Sequence, residues 1–199
     1  MQLPSELQLD ALREVANVGG GHAATAFSKL VGGRTVRIEV PQVLFAPVAD
    51  LPAMVHSADY RLVSISFQMI GQLTGILVLV LPEEDARALC TLLLGSETKG
   101  ELSETQLSAL CEAGNIVASA CLAAIATFTG LNILPSAPSL SQSRQGDLIL
   151  EPWLDLDPSG SMVVMQIQFT TATTPRIRGQ LILLPETRSL ATLLSRLGL

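Results

Sequence analysis

The sequence predicts an α/β (α+β) fold, a single pseudo-two-fold domain over residues 1–199 built from a duplicated α-β-β-β-α unit. A polar motif occurs twice, with a glutamate at position 14 and again 98 residues later. A Leu-Pro-Glu segment after an apolar run also occurs twice, 103 residues apart. We therefore expect internal repeats over 1–98 and 103–199. Their open sheet edges and apolar helix faces would be buried best against each other, in one antiparallel-type sheet with the two long motif helices packed side by side.

Composition favours an aliphatic core and argues against a nucleic-acid partner. Hydrophobic residues make up 48% of the 199 residues and aromatic residues only 4%, so the core is expected to be aliphatic. The formal charge is −6 and the 12 basic residues are scattered, whereas binding to a phosphate backbone needs a clustered basic patch. The three cysteines form no Cys-x-x-Cys or Cys/His cluster, which predicts buried thiols in a reducing compartment.

The sequence leads us to expect a soluble, cytoplasmic protein without membrane insertion. The N-terminal residues show no basic stretch followed by an apolar run, as a secretory signal would. The most apolar strand-like run, residues 76–81, is too short to cross a bilayer as a helix.

The first helix is predicted from Ser5 to about Val31. Ser5 and Gln8 have the spacing of a capping box, and apolar residues then recur at helical spacing on a side different from the polar motif. A glycine run at 19–21 lies inside this helix and costs about 1 kcal/mol per residue relative to alanine. We therefore expect either a kink or the close approach of another backbone just after Asn17.

Three strands and a helix are predicted to complete the first repeat. An alternating segment closed by Pro41 predicts a half-buried strand, and residues 42–60 predict an irregular connection. Two β-rich runs close together predict a hairpin. Pro82 then opens a helix that stops at Gly95. The predicted strands cover residues 35–40, 62–69 and 73–81.

The second repeat is predicted in the same order. Ser103 and Gln106 form a second capping-box pattern, and the helix that they open is expected to run to Gly130. Residues 135–160 predict the longest polar connection. The remaining elements are strands at 162–170 and 179–184 and a helix that opens at Pro185.

The duplicated motif carries the functional prediction. On a helix its first, fifth and eighth positions fall within a stripe about 60° wide, so the three polar groups share one face. The glutamate and the asparagine are kept in both copies although most neighbouring positions differ. Asparagine is a poor mid-helix residue, because its side chain competes for backbone hydrogen bonds, so its presence twice indicates a use. The two copies are Asp10, Glu14 and Asn17, and Ser108, Glu112 and Asn115.

These residues resemble the pattern of the CheC-type chemotaxis phosphatases, a family that includes the CheX and FliY proteins. In that pattern the asparagine is followed by 22 residues and a proline, which fits the second copy at Pro138. The first copy has 23 residues before Pro41. Two motifs are similar to the two-site CheC members and unlike single-motif CheX. The end of the sequence at Leu199 leads us to expect no flagellar-switch domain of the FliY kind.

The resemblance implies hydrolysis of the aspartyl phosphate on a CheY-type response regulator. Asn17 or Asn115 would orient the attacking water, because a carboxamide carries both a donor and an acceptor. Glu14 or Glu112 would pair with the active-site lysine of the regulator. The resemblance implies no cofactor of the protein's own, since the regulator supplies Mg²⁺. The positions given supporting roles are Asp10, Ser108, Pro41 and Pro138.

Two alternatives from other classes stay open. One is a binding module that mainly docks the receptor deamidase CheD, with little catalysis. The extra residue before Pro41 and the glycine run would then indicate a degenerate first site. The other is a structural component of the flagellar switch without turnover.

Overall fold

Two long helices and a seven-stranded sheet make up most of the computed structural model, which describes residues 5–55, 61–96, 100–143, 160–172 and 176–197. The helices are α1 (Glu6–Leu30), α2 (Leu51–Val55), α3 (Glu83–Leu94), α4 (Glu104–Thr129) and α5 (Thr187–Arg196). The strands are β1 (Arg37–Pro47), β2 (Leu62–Gly71), β3 (Gly75–Pro82), β4 (Ile133–Pro135), β5 (Ser139–Ser143), β6 (Ser161–Thr170) and β7 (Ile177–Pro185).

The sheet interleaves strands from the two halves of the chain. Its order is β1-β6-β7-β3-β2, with β4 and β5 both paired to β2, and every pairing is antiparallel. The first strand of each half therefore pairs with a strand of the other half. The predicted class, an antiparallel sheet with two long motif helices side by side, is confirmed.

The core lies on both faces of the sheet. On one face the helices bury a large aliphatic cluster. This cluster also holds the rings of Phe27 on α1 and Phe169 on β6, whose centroids are 5.3 Å apart. A smaller cluster on the other face is covered by α2, where Leu51 is fully buried. The long helices are thus seated on one side of the sheet, and their outer faces are left for the motif residues.

The glycine run in α1 is explained by the close approach of neighbouring backbone. The helix is continuous from Glu6 to Leu30. A β-carbon on Gly19 would lie 3.2 Å from the Cα of Cys121 on α4, and one on Gly20 would lie 3.1 Å from the carbonyl oxygen of Ile38 on β1. A β-carbon on Gly21 would meet nothing within 4 Å. Two of the three glycines therefore let α1 pack tightly against α4 and the sheet.

The prediction that Pro41 closes the first strand is wrong, because β1 continues to Pro47. Glu39 pairs with Gln168 and Gln42 with Gln166, so two residues of β1 face one residue of β6. This is a β-bulge, and β1 is an edge strand, where a proline without an N–H is tolerated. The predicted irregular connection over 42–60 is also wrong in part. It contains the end of β1, a 3₁₀ turn (Val48–Asp50) and α2, while 56–60 lie outside the described residues.

The predicted polar connection at 135–160 is likewise interrupted by structure. Strand β4 ends at Pro135, and β5 begins at Ser139. Pro135 pairs with Met69 and Ser139 with Ser66, so three residues of this edge face two residues of β2. The segment with Pro138 thus carries one extra residue, as the segment with Pro41 does. Residues 144–159 lie outside the described part of the chain.

Candidate functional site

Both motifs begin at the same distance from a capped helix start. The Ser5 hydroxyl accepts a hydrogen bond from the Gln8 backbone N–H at 3.2 Å, and the Gln8 side chain accepts one from the Ser5 N–H at 2.9 Å. Ser103 and Gln106 repeat this arrangement at 3.4 and 2.8 Å. Such capping boxes fix where a helix begins. Each motif therefore starts five residues after its N-cap residue, Asp10 after Ser5 and Ser108 after Ser103.

The polar stripe of each motif faces away from the core, as its helical spacing predicted. In both copies the motif positions are accessible to solvent, while the core side of the same helical turns is buried. The exposed motif residues are Asp10, Glu14, Asn17, Ser108 and Glu112, and Asn115 is half-buried. The buried residues between them include Leu12, Val15 and Ala16 in α1, and Leu110, Ala113 and Gly114 in α4.

The second motif is held especially close to the sheet. A β-carbon on Gly114 would lie 2.9 Å from the Cγ2 of Ile65 on β2. Only a glycine lets the helix approach Ile65 this closely. Because Gly114 immediately precedes Asn115, this contact helps to fix the depth of Asn115, which is half-buried where Asn17 is exposed.

The glutamate and asparagine side chains of both motifs are unengaged in the described part of the chain. The structure gives none of them a side-chain hydrogen bond or ion pair there. Each glutamate lies three residues before its asparagine, where Cβ atoms are about 5–6 Å apart on a helix. The two sites therefore each present a carboxylate and a carboxamide, side by side, to an external partner. The four side chains are Glu14, Asn17, Glu112 and Asn115.

The supporting motif position differs between the two sites. Asp10 accepts a hydrogen bond from the Arg13 guanidinium at 2.7 Å, and both side chains are largely exposed. The corresponding residues of the second copy are Ser108 and Cys111, which carry no such ion pair. The Asp10 carboxylate is thus paired with Arg13 and not with Glu14 or Asn17 of the same motif. Arg13 was missed from the sequence alone, although its spacing of three residues from Asp10 on a helix is typical of such an ion pair.

The three cysteines have neutral thiols. Burial raises the pKa of Cys90 to about 11 and that of Cys121 to about 12. Burial also raises the pKa of Cys111, which lies one turn before Asn115. A protonated thiol is a poor nucleophile and metal ligand, so we assign Cys111 no part in the chemistry of the second site.

Metal chemistry of the protein's own finds no support in the described residues. Among them, no three His, Cys, Asp or Glu side chains come together in a group that could hold a metal ion. The available chemistry is hydrogen bonding and charge pairing by one carboxylate and one carboxamide per site. Such groups suit the positioning of water and of a cationic side chain.

Helix α4 is long and apolar enough to cross a membrane by length and composition. Half of its most apolar stretch is buried inside the fold. A core helix passes the same test, and α4 has Gly114 and Cys121 packed against β2 and α1.

The sites lie in segments that match a known protein family. The model of the CheC-like family matches residues 7–44 and 106–141, each of which contains one motif and the proline after it.

Comparisons that cover most of this chain agree with this match. The CheY-P phosphatase CheC of Bacillus subtilis (strain 168) is 33% identical over 97% of this chain and 95% of its own. The flagellar motor switch phosphatase FliY of the same organism is 28% identical over 80% of this chain and 41% of its own. The crystal structure of Thermotoga maritima FliY has the same fold, with a TM-score of 0.84 at 21% identity over 99% of this chain and 98% of that one. The chain belongs to the CheC-like family.

Proposed function

We propose that this protein is a chemotaxis phosphatase that hydrolyses the aspartyl phosphate of a CheY-type response regulator. The observation that carries the proposal is the pair of outward-facing Glu/Asn sites, at Glu14 and Asn17 and at Glu112 and Asn115, whose side chains have no partner in the described part of the chain. The names of the Bacillus subtilis relatives, a CheY-P phosphatase and a motor switch phosphatase, support the same reaction.

The reaction needs little from the phosphatase beyond positioning. An acyl phosphate is already reactive, and the regulator brings Mg²⁺ and a lysine that neutralise the charge on the phosphoryl group. The phosphatase then has to hold a water molecule in line with the phosphorus. The carboxamide of Asn17 or Asn115 can donate a hydrogen bond through its NH₂ group and accept one from the attacking water through its oxygen. A glutamine orients the water in the same way in GTPases.

The glutamate serves as a docking group in this proposal. Glu14 or Glu112, one turn before the asparagine, pairs with the active-site lysine of the regulator and fixes how the two proteins align. The carboxylate is not required as a base, because the metaphosphate-like transition state needs little activation of the water. The protein needs no cofactor of its own, since Mg²⁺ belongs to the substrate. The site of action is the cytoplasm, where such a regulator would be found.

The lifetime of the phosphorylated regulator tests the proposal. Asn17→Ala combined with Asn115→Ala should return dephosphorylation to the intrinsic decay rate of the regulator. Asn132→Ala is a matched control, because Asn132 is exposed and belongs to neither motif. It forms hydrogen bonds with Gln72 only through its backbone. Full activity in the double variant would refute water positioning by the two asparagines.

The same experiment separates the alternatives. A CheD-binding adaptor, or a flagellar-switch component with little catalysis, would leave the lifetime of the phosphorylated regulator at its intrinsic value. This would hold both with and without the two substitutions. The extra residue before Pro41 leaves the geometry of the first motif intact, since α1 is continuous from Glu6 to Leu30 and both Glu14 and Asn17 are exposed on it. We therefore keep both sites in the proposed function.

A further inference from the structure

A groove of about 630 Å³ opens beside the second motif, where α1 and α3 end and α4 begins. Leu30 comes from the last turn of α1 and Leu94 from the last turn of α3. Ser108 and Glu112 of the motif form part of the same wall. The groove is therefore continuous with the site that the proposed function assigns to the regulator.

Apolar side chains in this groove are left in contact with solvent. Leu30 is 42% exposed and Leu94 is 40% exposed, and the half-buried Leu93 of the same groove packs against the core. Burying the exposed part of a leucine in a complex is favourable in proportion to the apolar area removed from water. Two leucines beside a catalytic motif are thus available to bind a partner.

The charged side chains that line the groove are both acidic. Glu104 lies in the first turn of α4, and Glu112 is the motif glutamate two turns later. An occupant that fits has an apolar side chain for the leucines and a basic group for the carboxylates. The regulator meets the second requirement at its active-site lysine, which the proposed function already pairs with Glu112.

We infer that this groove is the docking surface for the phosphorylated regulator at the second site, and that Leu30 and Leu94 bind an apolar side chain next to its active-site lysine. The inference rests on the proposed function and adds residues outside the motif to it. Docking through the leucines holds the regulator while Asn115 positions the water, so these leucines govern binding rather than the chemical step.

The first site offers a different surface. The counterpart of Leu30, 98 residues later, is Phe128, which is 46% exposed. In the last helix Leu190 and Leu194 correspond to Leu89 and Leu93 of α3, with the same degree of burial, which makes Ser195 the counterpart of Leu94. An apolar pair at the second site thus becomes an aromatic and a hydroxyl residue at the first. A substitution of Leu94 should act on one site alone.

Variants with one active site test this directly. In the Asn17→Ala background only the second site is intact, and Leu94→Glu should raise the KM for a CheY-type regulator carrying its aspartyl phosphate by about tenfold or more, with little change in kcat. In the Asn115→Ala background, which depends on the first site, Leu94→Glu should leave both constants unchanged. That second result also shows that the variant is folded.

Ile70→Glu in the Asn17→Ala background is the matched control. Ile70 is 53% exposed and lies on β2, where it pairs with Leu134 away from the groove, so its KM should not change. An unchanged KM for Leu94→Glu in the Asn17→Ala background would overturn the inference while the phosphatase proposal stands. Failure of the proposed function would give a different result: the unsubstituted protein would leave the lifetime of the phosphorylated regulator unchanged, or the Asn17→Ala, Asn115→Ala double variant would keep full activity.

Discussion

Gly19 of α1 lies so close to Cys121 of α4 that a β-carbon on the glycine would come within 3.2 Å of the Cys121 Cα. The carbonyl oxygen of Ala120 lies at 3.3 Å from the same position. Both neighbours are backbone atoms of a packed helix, which cannot rotate away as a side chain can. The contact sets how closely the two motif helices approach each other.

Gly19→Ala should therefore lower the free energy of unfolding by about 1–2 kcal/mol, because the strain of overpacking exceeds the gain in helix propensity. Gly21→Ala is the matched control, since that position is open. It should raise the free energy of unfolding by about 0.5–1 kcal/mol. Urea denaturation of both variants measures the difference. Equal stabilisation by the two substitutions would show that the helices can separate at little cost.

Asp10→Ser should have little effect on activity. The Asp10 carboxylate is paired with Arg13 at 2.7 Å, and an exposed pair of this kind contributes about 0.3–0.5 kcal/mol to a helix. Serine is also the residue at the same position of the second motif, Ser108. In the Asn115→Ala background, which depends on the first site, kcat/KM for the phosphorylated regulator should change by less than about threefold, the factor that a pairing energy of this size corresponds to. A loss of a hundredfold would place Asp10 among the groups that contact substrate.

Cys111 should be the first cysteine to react with iodoacetamide in the native protein. All three thiols have a raised pKa, but Cys111 is only partly buried, whereas Cys90 and Cys121 are buried. Alkylation at pH 8 followed by mass spectrometry gives the order of reaction. Cys111 also lies next to Glu112, so a docked regulator with a stable phosphoryl analogue should slow its alkylation. Faster labelling of Cys121 would contradict the packing of α4 against α1.

Elements with a local chemical signal were predicted well. The capping boxes at Ser5 and Ser103 and the left-handed glycines at Gly95 and Gly130 set helix limits that the structure confirms. These signals depend on residues a few positions apart, so no knowledge of the tertiary fold is needed. The faces of the motif helices followed in the same way from helical periodicity.

Two features that depend on distant neighbours were not predicted. Pro41 was expected to end a strand, yet it is accommodated because β1 is an edge strand with a bulge opposite β6, and its partner strand lies more than a hundred residues later. The groove at the second site needs Leu30, Leu94 and Glu112 to meet from three helices. In sequence, the two leucines were indistinguishable from ordinary core residues just before a helix stop.

Asn115→Ala should reduce the dephosphorylation rate more than Asn17→Ala. Asn115 is half-buried and next to the glycine that packs on Ile65, and Glu112 of the same motif lines the leucine groove. Asn17 is exposed, and its side chain must lose more conformational freedom when it binds water and regulator. The second site is therefore better preorganised, which favours catalysis. Initial rates at a limiting concentration of the phosphorylated regulator would rank the two sites.

The two rates carry a further expectation. If the sites act independently, each single variant retains one intact site, so the rates of Asn17→Ala and Asn115→Ala should add up to the rate of the unsubstituted protein. A sum well above that rate would mean that the two sites hinder each other, for example through overlap of docked regulators. A larger loss from Asn17→Ala than from Asn115→Ala would reverse the ranking and remove the argument that half-burial of Asn115 favours water positioning.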